Sequence, residues 1–457
     1  MGIGRRKILV VLCVGTATAF LPTALWGPVV LGGSSAGGKL DTEIDRLCSQ
    51  METRTIAWRR DIHQHPELSN RESRTAGLVA DHLRKLGLEV RTEVAHTGVV
   101  GVLRGKNPGP VVALRADMDA LPVTEEGDLS FASRVKTDYN GREVGVMHAC
   151  GHDVHTAILM AVAQVLRELQ GELPGTVKFI FQPAEEGAPE GEEGGARLMI
   201  AQGVLENPKP QAIFGLHVSP HYRVGTLTYR SGPTMAAEDG LRIVVQGRQT
   251  HGAVPWGGTD PVVVASQIIL GLQTIISRQV DLPSAPAIIT IGSIHGGVRS
   301  NIIPDEVELV GTIRTFDAEM RSDIHERVRK TAAMIARSAG AAAEVSIRPG
   351  YPVTFNDPNL VARMLPVLHA VAGRSNVLSV PVATGAEDFS YYQQQIPGFY
   401  FFLGVTPKEV DPKKAAMCHS PRFYVDESAL VVGIRALAYL TVAYLENPAK
   451  GAESGRL

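Results

Sequence analysis

The sequence predicts an α/β fold: a mixed central sheet flanked by helices, interrupted by an inserted α+β sandwich. Three observations carry this. Short β-branched and aromatic runs end repeatedly in loops bearing acids, imidazoles or a thiol, and alternate with apolar helical stretches, as in an open α/β sheet that presents ligands at its strand ends. At Gly232-Pro233 the character shifts, and two helices with about four strands follow before residue 347. From Tyr351 the chain returns to the first pattern. The expected domains are therefore 40–232 together with 348–447, and the insert 233–347.

A chain of 457 residues, 44% hydrophobic and 20% charged, is long enough to bury a large core in two or three domains. A net charge of -2 with no long basic run leaves no footprint for nucleic acid. Residues 1–38 have the layout of an export signal. Arg5, Arg6 and Lys7 precede an apolar run from Ile8 to Trp26, broken by Pro22, and Ser34 and Ala36 sit in a Gly/Ser-rich exit. The expectation is a periplasmic or extracellular protein. The competing reading is an uncleaved membrane anchor, since the apolar part through Leu31 is nearly long enough to span a bilayer. Four cysteines, Cys13, Cys48, Cys150 and Cys418, are too few for a disulfide framework.

The elements follow in order. Helical pattern fills Leu40 to His65, where Pro66 stops it, and again about Glu72 to Leu86, ended by Gly87. Strands are expected at Glu89 to Val94, Val99 to Leu103 and Val111 to Arg115, the last running into Asp117 and Asp119. Those two acids are candidates for a site or for loop capping. Met147 to Thr156 supplies one thiol, three imidazoles and a carboxylate, and Ala157 to Leu169 then reads as a buried helix. Cys150 and His152, two positions apart in an extended loop, can reach one metal ion, and the helix N-terminus beyond would lower the thiol's pKa.

The strand Thr176 to Phe181 delivers Glu185 and Glu186. Adjacent carboxylates repel unless a cation sits beside them, so one can ligate a metal while the other acts as base. Ile213 to Leu216 delivers His217. In the insert, strands Leu241 to Val245, Ala287 to Ile291 and Val307 to Arg314 alternate with helices Pro261 to Ile276 and Ala318 to Ala339, and its face can include His251, Arg299, Asn301 and Arg314. A loop with Gly385, a strand Gly398 to Leu403, the motif Cys418-His419-Ser420-Pro421 and a closing helix from about Glu427 to Glu446 complete the chain.

Assembled in this order, the motifs resemble the zinc-dependent aminoacylase and carboxypeptidase superfamily, specifically its amidohydrolase subfamily. That subfamily includes hippurate hydrolases, N-acyl-L-amino acid amidohydrolases and plant indoleacetyl-amino acid hydrolases. The match runs from about 45 to 447, through His63 to Glu67, Arg115 to Pro122, His148 to Thr156, Gln182 to Gly187, His251 to Pro255, Ser300 to Pro304, Gly385 to Phe389 and His419 to Phe423. The resemblance implies a two-metal site of Cys150, His152, Glu186, His217 and His419, with Cys150 bridging and Glu185 as general base. It also implies a lid at about 233–347 that dimerises in relatives and presents His251 to the site. Related peptidase branches carry a His-x-Asp motif where this chain reads Arg115-Ala116-Asp117, and an Asp bridge where it has a thiol.

The expected chemistry is amide hydrolysis of small N-acyl amino acids. Glu185 would shuttle the proton, His251 would meet the oxyanion, Asn301 and Arg314 would grip the substrate carboxylate, and Gly385 would admit backbone close to the ligand. Asp117 is expected behind the ligands. The donor set suits two divalent ions, zinc or manganese, with cobalt or nickel also acceptable. The rival readings are a dipeptidase or carboxypeptidase on the same scaffold, and a non-catalytic envelope protein that binds amino acid conjugates.

Overall fold

Parallel strands need crossovers long enough for a helix, and the spacing of the apolar runs provides them. A computed structural model describes residues 37–448; the export segment read in residues 1–38 lies outside them, apart from Gly37 and Gly38, which open the first helix. Helices α1 (Gly37–Gln64) and α2 (Ser73–Lys85) lead into β1 (Glu89–Val94), β2 (Gly98–Arg104) and β3 (Asn107–Asp117). A hairpin of β4 (Lys136–Tyr139) and β5 (Arg142–Gly145) precedes α3 (His152–Glu168), β6 (Pro174–Gln182), α4 (Gly195–Ala201), β7 (Ala212–Arg223) and β8 (Leu227–Tyr229). After β9 (Gly232–Met235) come β10 (Ala237–Gln246), β11 (Thr250–His251), α5 (Pro261–Arg278), β12 (Ala287–Gly296), β13 (Ile302–Ile303), β14 (Glu306–Thr315), α6 (Ala318–Ser338) and β15 (Ala342–Pro349). The chain closes with β16 (Thr354–Asn356), α7 (Pro358–Ala372), β17 (Val377–Ser379), α8 (Phe389–Gln393), β18 (Gly398–Thr406) and α9 (Ala429–Glu446).

The main sheet has eight strands in the order β1-β2-β6-β3-β7-β18-β8-β17. Its centre, β6, β3, β7 and β18, is parallel, and antiparallel pairs flank it on both sides, so the sheet is mixed. Helices cover both faces, which is why these strands read as unbroken apolar runs rather than alternating ones. Phe214 meets Tyr444 of α9 edge-on at 5.9 Å on one face. On the other, Ala113, Ile180, Ile213 and Tyr400 pack with Met199 of α4 and with Phe389 and Tyr392 of α8.

The insert is two-layered. Its antiparallel sheet runs β12-β14-β10-β15, and α5 and α6 lie on one face around Ile243, Val245, Ile268, Leu272, Leu309 and Val328. Both helices start at aspartate caps: Asp260 accepts from the N–H of Val262 and Val263 with Pro261 next to it, and Asp317 accepts from Met320. The other sheet face is left open. Two short strands, β9 and β16, pair where the chain enters and leaves the insert. There the Tyr351 hydroxyl donates to the Glu185 carbonyl at 2.6 Å, tying the exit strand to the central domain.

Candidate metal centre

The ends of the parallel strands and the start of α3 bring the polar residues together. Gly151 makes this possible: its φ of 88° turns the chain sharply, and a Cβ there would sit 2.3 Å from Val218 Cγ2. The helix therefore begins at His152, earlier than the apolar run beginning at Ala157 suggests, and Cys150 and His152 flank a turn rather than lie in an extended loop. The ligating atoms of Cys150, His152 and His217 fall within 4.8 Å of one another, as do those of Cys150, Glu186 and His419, and those of His152, Glu185 and Glu186.

Each imidazole is aimed by its second nitrogen. His152 Nδ1–H donates to the Asp119 carbonyl at 2.8 Å and to its carboxylate at 3.2 Å, leaving Nε2 facing Glu185 and Glu186 at 3.9 and 4.0 Å. His217 Nδ1–H donates to the Val218 carbonyl at 2.6 Å, and its Nε2 lies 3.3 Å from the Cys150 sulfur. His155, though adjacent, has no lone pair to offer. Its Nδ1–H donates to Asp117 at 2.6 Å and its Nε2 accepts from the Val218 N–H at 2.9 Å.

Behind these side chains stand two carboxylate systems. Asp119 accepts the N–H groups of Glu185 and Glu186, at 3.1 and 3.0 Å, and the Ser69 hydroxyl at 2.8 Å. Glu72, buried, accepts the preceding N–H, that of Ala184, at 3.0 Å. Three successive amides of the acidic loop are thus held by two buried acids. Arg115, 1% exposed, binds Asp117 at 2.5 Å, Asp388 at 2.8 Å and Glu387 at 3.0 Å, and Gln182 at 2.9 Å. Asp117 is therefore taken up by Arg115 and His155.

The charge balance is acidic, and most of these groups are buried. Burial above all, then the neighbouring Glu387, Glu186 and Asp388, hold the Glu185 carboxyl well above the usual carboxylate range, against the pull of Arg115. The Cys150 thiol is likewise pushed up, by its hydrogen bond with the Cys418 thiol, by burial and by Glu186, the reverse of the lowering that a helix N-terminus alone would give. The same bond pulls Cys418 down to about 6, against its burial and helped by His217 and His419. A cation at this point reverses the sign for Cys150, because a coordinating thiol is deprotonated.

The residues fit such a cation. His152 Nε2 and Glu186 Oε1 are buried without any hydrogen-bond partner. Glu186 Oε1 also lies 3.0 Å from His419 Nε2 without being aligned for a hydrogen bond, so two lone-pair donors converge on one space. Imidazole, thiolate and carboxylate together are a divalent transition-metal donor set.

The description "Peptidase family M20/M25/M40" matches residues 113–443. The chain belongs to that family. It is 42% identical over 399 residues to thermostable carboxypeptidase 2 of Saccharolobus solfataricus, covering 86% of this chain and 96% of the relative. It is 40% identical to N-acetylcysteine deacetylase of Bacillus subtilis, covering 86% and 98% of the two chains. The crystal structure of the Bacillus subtilis YXEP protein, a dinuclear metal-binding peptidase of the M20 family, matches with a TM-score of 0.72 at 38% identity, covering 87% of this chain and 99% of that one. The protein is a metal-dependent hydrolase of the M20/M25/M40 family.

In this M20 hydrolase a cavity of about 790 Å³ opens over Cys150, Glu185, Glu186, His217 and His419. Arg314 and Gly385 also line it. His251 and Asn301 do not: both are exposed on the insert, with the His251 ring accepting from the Ala253 N–H and the Asn301 carbonyl accepting from Gly252. Sequence reading passed over Glu72, Tyr351 and the Arg115 network. Only Arg115 carried a local signal, a guanidinium at the end of an apolar strand.

Proposed function

We propose that this M20-family hydrolase cleaves the amide of N-acyl amino acids, with Glu185 moving the proton. The observation that supports this best is the state of Glu185. Its backbone is pinned at both ends, N–H on Asp119 and carbonyl under Tyr351, while its carboxyl faces the cavity beside the unpartnered atoms of His152 and Glu186. Divalent cations, held by Cys150, His152, Glu186, His217 and His419, supply Lewis acidity and an activated water when bound. Glu185 takes a proton and returns it to the leaving amine, acting first as base and then as acid. Arg314 faces the cavity as the group for the amino acid carboxylate. The deacetylase relative favours an acyl substrate, and the carboxypeptidase relative favours a peptide one. The Cys150 thiol, in place of a carboxylate bridge, weighs towards the first.

Glu185→Gln is expected to keep its metal content, measured by elemental analysis, and to lose about 100-fold or more in turnover. Full activity would remove Glu185 from the mechanism. A panel of acyl-amino acids against dipeptides separates the two substrate readings, and metal measured on the same sample separates zinc from manganese, cobalt or nickel.

His251 and Asn301 reach the cavity only if the insert moves or a second copy supplies them. A second copy is the reading we favour. Val262, Val263 and Leu270 on α5, with Ile288 and Ile294 on the edge strand β12, are exposed apolar side chains on one domain. Light scattering would show a dimer, and a monomer at working concentration would send His251 back to lid motion alone. Export through residues 1–38, cleaved or as an anchor, is tested by fractionation and by sequencing the mature N-terminus.

A further inference from the structure

Two cysteines meet at the metal centre, and the ligand set of Cys150, His152, Glu186, His217 and His419 uses only one of them. The other, Cys418, lies in the turn 417–420, which the Ser420 N–H closes onto the Met417 carbonyl at 3.1 Å. His419, in the third position, has a φ of 69°, the positive value that the third residue of a type II turn takes. One further backbone bond joins this turn to the loop before α3, from the His419 N–H to the Ala149 carbonyl at 2.8 Å. Cys418 and Cys150 each stand one residue from that bond, and their thiols are in hydrogen-bonding contact. The backbone, rather than the reach of two flexible side chains, brings the sulfurs together.

Both cysteines line the larger cavity. Cys150 is 7% exposed, whereas Cys418 is half-buried between the exposed Met417 and His419, so a small reagent in the cavity meets Cys418 first. Cys48, the remaining cysteine among the described residues, is fully buried on α1 and does not line this cavity.

A thiolate can ligate a cation because its sulfur carries charge and free lone pairs, and a disulfide sulfur has lost that charge. Cys150 cannot serve both partners at once. We propose that Cys150 and Cys418 form a reversible disulfide, and that this bond and metal exclude one another at the centre. The oxidant is a low-molecular-weight disulfide. The Cys418 thiolate attacks it, forming a mixed disulfide and releasing one small thiol; the Cys150 thiolate then attacks the Cys418 sulfur and releases the second. The pair gives up two electrons and two protons, and both end on the two released thiols. With Cys150 committed to metal the second step has no nucleophile, so loading protects the pair and oxidation prevents loading. The export proposed above would take the chain to a compartment that oxidises thiols, where this competition matters most. The inference rests on Cys150 as a metal ligand and not on which amide is cleaved.

The test equilibrates the full chain, either stripped with a chelator or loaded with zinc, with oxidised glutathione. Thiols are titrated after denaturation, linked peptides are identified by mass, and zinc uptake is measured by elemental analysis. The stripped protein is expected to lose two thiols and to yield a peptide joining 150 to 418, two hydrogen atoms lighter than its parts. Its zinc uptake should fall about tenfold or more and return with a reductant. The loaded protein should form the link at least about tenfold more slowly. Cys418→Ser and Cys418→Ala, each checked for folding by Tm, should form no link and should still take up zinc after the same treatment. Two thiols retained in the stripped wild type, or glutathione arrested on Cys418 without a link, overturns the pair. A link that leaves zinc uptake unchanged overturns the competition. A link that forms equally fast in the loaded protein removes Cys150 from the metal ligands, and the proposal with it.

Discussion

His152 in the central domain and His251 in the insert are both imidazoles singled out by sequence, and their surroundings are opposite. His152 is 1% exposed, held through Nδ1 by Asp119, with Nε2 left bare towards two carboxylates. His251 is exposed on a two-residue strand, and its ring accepts only a neighbouring amide. The central domain fixes the imidazole of His152 through Asp119, and the buried acids around it would be costly if left unpaired. The surface of the insert around His251 keeps its polar groups in water, where they cost nothing until another surface meets them, and the acid that the insert does enclose, Asp239, is paired with Arg321 and His325. Enclosure, rather than residue type, then decides how much a given side chain is worth.

The sharpest test of that contrast is Arg115. Replacing it with leucine leaves Asp117, Glu387 and Asp388 buried without their cation, and the loss of one partner in a buried ionic network costs about 3–5 kcal/mol. Denaturant unfolding of the variant measures this, and a loss below about 1 kcal/mol would erase the distinction. Next in size is an acid effect through His82, which is 6% exposed and donates through Nε2–H to the Met160 carbonyl. Burial pulls its pKa down to about 4. In the unfolded chain it protonates near 6.5, so between those values the unfolded state binds more protons, and stability falls as pH drops from about 6.5 to about 4. The full loss is up to about 3 kcal/mol. In His82→Gln that part of the slope should vanish from a plot of Tm against pH; an unchanged slope would mean that the ring is not neutral in the fold.

The same contrast explains what the sequence discloses. The mixed sheet is legible because apolar runs that end in polar loops are local signals. The start of α3 is not, because His152, Asp153, His155 and Thr156 are polar yet buried, and hydrophobic periodicity reports only apolar burial. Asp117 and Asp119 look alike in sequence; only the fold gives Asp119 to the acidic loop and Asp117 to Arg115. Arg115 finds Asp388 across 273 positions, a pairing with no local trace. The β4–β5 hairpin is a different kind of miss. Asn140-Gly141, with φ of 54° and 74°, is a strong two-residue hairpin signal that was present to be read.

Smaller than these is the effect of Asp119→Asn. The amide keeps the shape but turns a two-oxygen acceptor into half a donor, facing the N–H groups of Glu185 and Glu186, the Ser69 hydroxyl and His152. Support of this kind behind metal ligands is worth about 10- to 100-fold in metal affinity. Competition with a chelator measures it, and unchanged affinity would mean that the turn at Gly151 aims His152 without help from Asp119. The smallest expected effect is on the insert. Arg242 and Glu308 pair across β10 and β14 with 56% and 30% of their side-chain surfaces exposed. An ion pair in that setting is worth about 0–1 kcal/mol and is screened by salt. Arg242→Gln should therefore shift Tm only slightly, and less at high ionic strength. If it cost as much as Arg115→Leu, the insert would depend on its charges as heavily as the central domain does, and enclosure would not be what separates the two.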